Sequence, residues 1–290
     1  MISLSDILDR EFVTIDAFDG LRRAEEVMDE KGIDSLIVMK EGSFAGTLTA
    51  MDICRTHPNR IVADAMTKGF ISVSPNMSLW DAKTVFEKYR VKELVVIDGD
   101  ELAGVVSDKS FYMELGKHVD QLTGLFKTDY IYHHGIKLLE KGFEVSVIFI
   151  DLDKFGQIDK DYGHVQGDLI LKEIAQIIEK NNTKDAYLCR YGGDEFAMIA
   201  PYKLEKCKYI AEKILKAISS HIFSPGFSMT ASAGIAGGRR RETRCFDTGT
   251  GDADKIISQL INLASLASTR AKNEITNLVV SDGLYTSETA

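Results

Sequence analysis

Carboxylates at two places in the C-terminal half of the chain are positioned to hold a cation. Val145-Ser146-Val147-Ile148-Phe149-Ile150 is an apolar run of strand length, rich in β-branched residues, and it leads directly into Asp151-Leu152-Asp153-Lys154-Phe155. Such a run predicts a central strand buried on both faces, and alternation along a strand predicts that Asp151 and Asp153 leave its tip on the same side. Further on, residues 186–191 and 196–200 read as two strands separated by Gly192-Gly193-Asp194-Glu195, and Gly-Gly is a strong signal for a tight hairpin. If this hairpin pairs beside the first strand, Asp151, Asp194 and Glu195 converge. Acids so close repel one another unless a divalent cation sits among them. That is the arrangement required by two-metal phosphoryl or nucleotidyl transfer, in which one ion activates a hydroxyl and the other steadies a leaving pyrophosphate. Taken alone, the acids fit a solvated turn as well.

The elements that must position these groups are legible around them. Gly163-His164-Val165-Gln166-Gly167-Asp168 opens a helix that continues through Ile170, Leu171, Ile174, Ile177 and Ile178 at helical spacing. The first part of the chain repeats itself at an offset of about 58 residues. Asp6 pairs with Asp64, Phe12 with Phe70, Leu21 with Leu79, Ala24 with Ala82, Leu36 with Leu94, Val38 with Val96 and Ala45-Gly46 with Ala103-Gly104. In each copy a helical stretch (21–31; 79–89) leads into an apolar strand (35–39; 94–97), a polar turn and a second short strand. Each copy is too small to bury both faces alone, so the two are expected to pack as one module. Residues 109–125 then read as one helix with Phe111, Met113, Leu115, Val119 and Leu122 on its apolar stripe. As a connector, this helix would transmit changes in the repeat module or serve as a static spacer.

The chain of 290 residues, 44% hydrophobic, is long enough for two domains with their own cores. Its net charge of -9 argues against nonspecific nucleic-acid binding without excluding a nucleotide ligand. No run approaches the roughly 20 apolar residues that cross a bilayer, and the N-terminus lacks a basic stretch followed by an apolar one. The expected location is the cytoplasm, with no membrane partner. Cys54, Cys189, Cys207 and Cys245 form no CxxC pair, so reduced thiols are expected rather than disulfides or zinc.

The repeat unit ending in Gly46-Thr47-Leu48-Thr49-Ala50-Met51-Asp52 resembles the CBS domain, and the tandem resembles a CBS pair binding adenine nucleotides. The resemblance implies that Thr49 touches phosphate and that Asp52 accepts from the ribose hydroxyls, work for an acceptor-only group. In the second copy, Gly104-Val105-Val106-Ser107-Asp108-Lys109-Ser110, Ser107 matches Thr49 while Ser110 replaces Asp52, so one nucleotide site is expected rather than two. The alternative is that Asp52 caps the following helix and that the pair is a dimerisation scaffold.

Arg190-Tyr191-Gly192-Gly193-Asp194-Glu195-Phe196, with Asp151-x-Asp153-x-Phe155, Gly163-His164-x-x-Gly167-Asp168 and Asp120-x-Leu122-Thr123-Gly124-Leu125, resembles the GGDEF family of diguanylate cyclases over about residues 118–282. The resemblance implies an α/β (α+β) fold, a palm-like domain with a central, mostly antiparallel sheet flanked by helices. It also implies attack of one GTP 3′-hydroxyl on the α-phosphate of another, twice, giving cyclic di-GMP across a homodimer. By position, Asp151, the Leu152 carbonyl and Asp194 would hold Mg2+ or Mn2+, with Glu195 at the metal and attacking hydroxyl. Backbone N–H groups of Lys154, Phe155 and Gly156 would cradle phosphates, with Gly192 and Gly193 lining the turn. Lys272 would contact the triphosphate, and Asp159, His164 and Asp168 would surround the guanine, Asp168 accepting from its N1–H and N2–H.

Several positions depart from the pattern. Asp159 stands where the family has Asn, and an ionised carboxylate accepts without donating. Thr276 replaces an arginine at the terminal phosphate, Gly156 and Lys160 replace Lys and Asp, and residues 182–186 lack the RxxD product-inhibition motif. The basic stretch at residues 237–244 reads as a solvated loop. These readings predict a tandem CBS pair at 1–116 (copies 1–58 and 59–116), regulatory through AMP, ADP or ATP, and a cyclase domain at 117–290. A weak or inactive nucleotide sensor, and a cyclase of altered base choice, are the alternatives.

Overall fold

The computed structural model describes residues 2–99, 101–224, 226–237, 250–274 and 276–281. The chain divides into two compact units, Met1–Gly116 and Lys117–Ala290.

In the first unit, β1 (Thr14–Asp16), α1 (Leu21–Lys31), β2 (Ser35–Lys40), β3 (Ser43–Thr49) and α2 (Ala50–Cys54) make one copy of the repeat. After α3 (Val62–Ala65), the second copy is β4 (Ser72–Val73), α4 (Leu79–Tyr89), β5 (Glu93–Asp98), β6 (Glu101–Ser107) and α5 (Asp108–Lys117). Each copy forms a three-stranded sheet with one parallel and one antiparallel pairing. The correspondence extends to register: Ser35 faces Thr49 as Glu93 faces Ser107, with bulges after Val38 and after Val96. The copies also exchange arms. Asp9 trades backbone hydrogen bonds with Val105 (2.9 and 3.0 Å), and Thr67 does so with Thr47 (2.8 and 3.2 Å). This crossing explains the Ala-Gly pair in each copy, because a Cβ on Gly46 would collide with the Thr67 carbonyl and one on Gly104 with the Asp9 carbonyl.

The connector differs from its reading as one helix over 109–125. Helix α5 stops at Lys117, and residues 118–126 turn back on themselves, with Val119 bridged to Phe126 and Phe126 bridged to Cys189. The Asp120 carboxylate accepts from the Thr123 N–H (2.8 Å) and hydroxyl (2.7 Å), and Gly124 takes a positive φ of 76°. A side chain that bonds nearby backbone competes with helix, and a left-handed glycine does not continue one, so the segment after Lys117 stays in a turn.

In the second unit, α6 (Thr128–Glu140), β7 (Ser146–Leu152), α7 (Phe155–Tyr162), α8 (His164–Asn181), β8 (Tyr187–Gly192), β9 (Glu195–Ala200), α9 (Leu204–Ser219), β10 (Ala231–Gly237), α10 (Thr250–Asn273) and β11 (Leu278–Val280) follow in order. The sheet order is β11-β10-β7-β9-β8, antiparallel except for β10 with β11. The apolar run at 145–150 is indeed central. Alternate residues serve two cores: Ile148, Ile150 and Leu152 pack with α8 and α9, whereas Val147 and Phe149 pack with α6 and α10. Helix α10 lies so close on β10 that a Cβ on Gly234 would strike the Ala264 carbonyl and the Ser268 N–H.

Candidate active site

The sheet brings the two acidic segments together by pairing. Asp151, at the end of β7, stands directly opposite Glu195, the first residue of β9. The β8–β9 turn carries Gly193, at φ 43°, and Asp194, whose carbonyl accepts from the Leu152 N–H (3.3 Å). The Arg190 guanidinium fixes this turn. Its Nε and one terminal nitrogen donate to the Gly193 carbonyl (2.9 and 2.6 Å), and its other terminal nitrogen donates to Asp120 (2.9 Å). Burial works against the Asp120 charge, but bonds from Thr123 and Arg190 outweigh it and hold the carboxyl below its ordinary range.

Asp151 is bound from across the fold. Lys272, near the end of α10, places Nζ 2.6 Å from Asp151 Oδ1 and 2.9 Å from the Leu152 carbonyl. Burial pushes the Asp151 carboxyl up, with Lys272 opposing and Asp194 and Asp153 adding repulsion. Burial likewise pushes Glu195 up, with Asp151 and Asp194 adding to it and Lys272 opposing. The three acids therefore feel one another, but among the described residues no three acidic, histidine or cysteine side chains close around one point. Asp153 departs from the expected geometry. Strand pairing ends at Leu152, so alternation does not extend to Asp153, whose carboxylate accepts from the Thr230 (2.6 Å) and Ser232 (2.9 Å) hydroxyls.

Beside this end of the sheet, Lys154 takes a left-handed conformation (φ 57°) and turns the chain into α7, so the N–H groups of Phe155 and Gly156 belong to its first turn. Asp159 on α7 reaches His164 Nδ1 (3.1 Å) and lies against Gly167, where a Cβ would collide with its carboxylate. Asp168 is exposed on α8, one residue beyond that contact. Thr276 is exposed just after α10, its N–H bonded to the Ala271 carbonyl (3.1 Å).

The diguanylate cyclase GGDEF-domain family matches residues 117–264. The chain belongs to the GGDEF family. In front of its GGDEF domain it carries two CBS domains, matched at residues 4–58 and 62–116. It is 31% identical over 172 residues to diguanylate cyclase VdcA of Vibrio cholerae, covering 57% of this chain and 48% of VdcA. It is 33% identical over 129 residues to diguanylate cyclase DgcS of Shewanella oneidensis, covering 43% of each chain. The chain thus spans about half the length, or less, of these curated relatives. Among solved structures, the coiled coil and GGDEF domain of DgcB from Caulobacter crescentus, in complex with c-di-GMP, superposes with a TM-score of 0.51 at 20% identity. That match covers 70% of this chain and 97% of the solved chain, and at this identity it speaks for the fold.

The donor set of the GGDEF domain suits a hard divalent cation, because Asp151, Asp194, Glu195 and the Leu152 carbonyl offer only oxygen. Two of those oxygens already hold the Lys272 ammonium, so the position favours positive charge. In the CBS unit, Thr49 and Asp52 form a closed capping box. The Asp52 carboxylate accepts from the Thr49 N–H (2.9 Å) and hydroxyl (2.7 Å), and the Asp52 N–H donates back to that hydroxyl (3.2 Å). Ser107 caps α5 in the same way, accepting from the Ser110 N–H (3.1 Å). Sequence reasoning missed the roles of Arg190 and Thr230. The Arg190 signal was present, since Asp120 and Arg190 both lie in the recognised motifs, whereas nothing in the spacing pointed to Thr230. Cys189 and Cys207 are buried and Cys54 is exposed, all unbridged, whereas Cys245 and the basic stretch after Gly237 lie outside the described residues.

Proposed function

We propose that the GGDEF domain is a diguanylate cyclase, condensing two GTP into cyclic di-GMP and releasing pyrophosphate with Mg2+ or Mn2+. The observation that carries this reading is the pairing of Asp151 with Glu195 at a half-buried sheet end, beside Asp194 and under Lys272. A divalent cation there supplies Lewis-acid stabilisation of charge on phosphate and the attacking oxygen. Asp151, Asp194 and the Leu152 carbonyl would hold that ion. Glu195, directly opposite Asp151 in the strand pairing, would take the proton of the attacking 3′-hydroxyl. Lys272 and the N–H groups at Lys154, Phe155 and Gly156 neutralise the triphosphate. Asp168 and the Asp159–His164 pair face the base, with Gly192 and Gly193 leaving room at the turn.

One domain binds one GTP, so the working form is a homodimer. The CBS pair binds AMP, ADP or ATP at Thr49, Asp52 and Ser107 and regulates the cyclase. The site of action is the cytoplasm; no helix among the described residues is long and apolar enough to cross a membrane. A second reading, a cyclase of altered base choice, is favoured by one contact. The His164 bond pins Asp159, a residue that accepts where the family's Asn also donates.

Mass identification of the products from GTP, ATP and their mixture, each with Mg2+, tests both readings. Cyclic di-GMP from GTP alone supports the first, and an adenine-containing product supports the second. No product at protein concentrations high enough to dimerise contradicts both.

A further inference from the structure

The Lys272 contact has a consequence for how a metal enters, and it rests on the cyclase reading of this site. The ammonium lies 2.6 Å from Asp151 Oδ1 and 2.9 Å from the Leu152 carbonyl, and these are two of the oxygens assigned there to the metal. The Lys272 side chain is 30% exposed and that of Asp151 16%, so water screens the pair only partly. A divalent ion bound to both oxygens would compete with the ammonium for them. Two cations do not share two oxygens in a half-buried place. The lysine stem is flexible, however, and its ammonium is a compact point charge that can move to another anion.

We propose that Lys272 is a built-in competitor of the metal, its ammonium and a divalent cation alternating on the Asp151 carboxylate and the Leu152 carbonyl. Metal alone meets an already neutralised carboxylate and binds weakly. A triphosphate draws the ammonium away and frees both oxygens, so metal and nucleotide enter cooperatively. Each strengthens the other by the same factor, as linkage between two binding sites requires. Lys272 thereby serves the nucleotide when it is present and guards the metal position when it is not.

The test is Mn2+ binding to the full chain, read from the spectroscopic signal of free Mn2+, with no turnover involved. Without nucleotide, Lys272→Met is expected to bind Mn2+ about tenfold more tightly than wild type, since a methionine keeps the stem and removes the charge. A non-hydrolysable GTP analogue should tighten Mn2+ binding in wild type and have less effect in the variant. Lys272→Gln should behave as Lys272→Met does, and melting curves check that both are folded. Equal or weaker Mn2+ binding by the two folded variants overturns the competitor. Asp151→Asn in the Lys272→Met background separates this failure from that of the cyclase reading. If Asp151→Asn weakens Mn2+ binding although Lys272→Met did not tighten it, the metal site stands and the competitor falls. If Asp151→Asn changes nothing, the metal assignment itself is wrong.

Discussion

Asp52 in the CBS unit and Asp151 in the GGDEF unit both stand where an apolar strand gives way to another element, yet their surroundings are opposite. Asp52 is satisfied within three residues, by the N–H and hydroxyl of Thr49, and the result is a helix cap. Asp151 is half-buried, faces Asp194 and Glu195, and among the described residues is neutralised by a lysine from a distant helix. A carboxylate whose bonds are all local stabilises its own corner and requires no ligand. One held by remote and competing charges is poised to exchange partners, which is what a metal or substrate site needs.

The sharpest way to break the contrast is to neutralise Asp151. Asp151→Asn is expected to cut GTP turnover by at least about a hundredfold, since it removes a charged metal donor. Its melting temperature at neutral pH should hold, because a buried charge disappears along with its lysine bond. A variant that unfolds would show Asp151 to be structural. Next in size, Gly234→Ala should destabilise the GGDEF unit by about 3 kcal/mol in denaturant titration, because the added methyl meets the backbone of α10 rather than a movable side chain. Arg190→Ala should lower kcat about tenfold with a smaller change in stability, since it releases the Gly193 carbonyl and leaves Asp120 with its Thr123 bonds alone.

Asp52→Ala should cost about 1 kcal/mol of CBS-unit stability through the lost cap. AMP or ATP titrated against the same variant then asks whether Asp52 also serves a ligand. Unchanged affinity would leave it a cap alone. The smallest effect concerns Glu93. Burial pushes its carboxyl up, a bond from the Ser35 hydroxyl opposes this, and Asp34 and Asp9 add repulsion. With its folded pKa above the unfolded one, the folded chain holds the proton more tightly. Its contribution to stability therefore falls as pH rises from the ordinary glutamate range of about 4.3. Glu93→Gln should remove that decline and raise stability at neutral pH by about 1 kcal/mol or less, as seen in melts across pH.

What the sequence conveyed and what it hid follow from the range of the interactions. The repeat was legible down to equivalent strands because each copy folds by local periodicity, and the buried run at 145–150 announced a central strand. Val119 and Leu122 keep helical spacing, but α5 already stops at Lys117, and the bond from Thr123 to Asp120 and the left-handed Gly124 keep the segment beyond it in a turn. Asp153 lies elsewhere because alternation holds only while strand pairing lasts, and its partners are Thr230, just before β10, and Ser232 within it. The Lys272 contact joins the end of β7 to the end of α10, and no spacing rule reaches across that distance.

The central claim is that these acids, gathered at the end of a buried sheet, carry a metal-dependent condensation of GTP. Pyrophosphate release from GTP and Mg2+, followed side by side for wild type and Glu195→Gln, tests it most directly. The account predicts steady release with matching cyclic di-GMP in wild type, and neither in a variant that melts normally. Release persisting at the wild-type rate in Glu195→Gln would place the chemistry elsewhere.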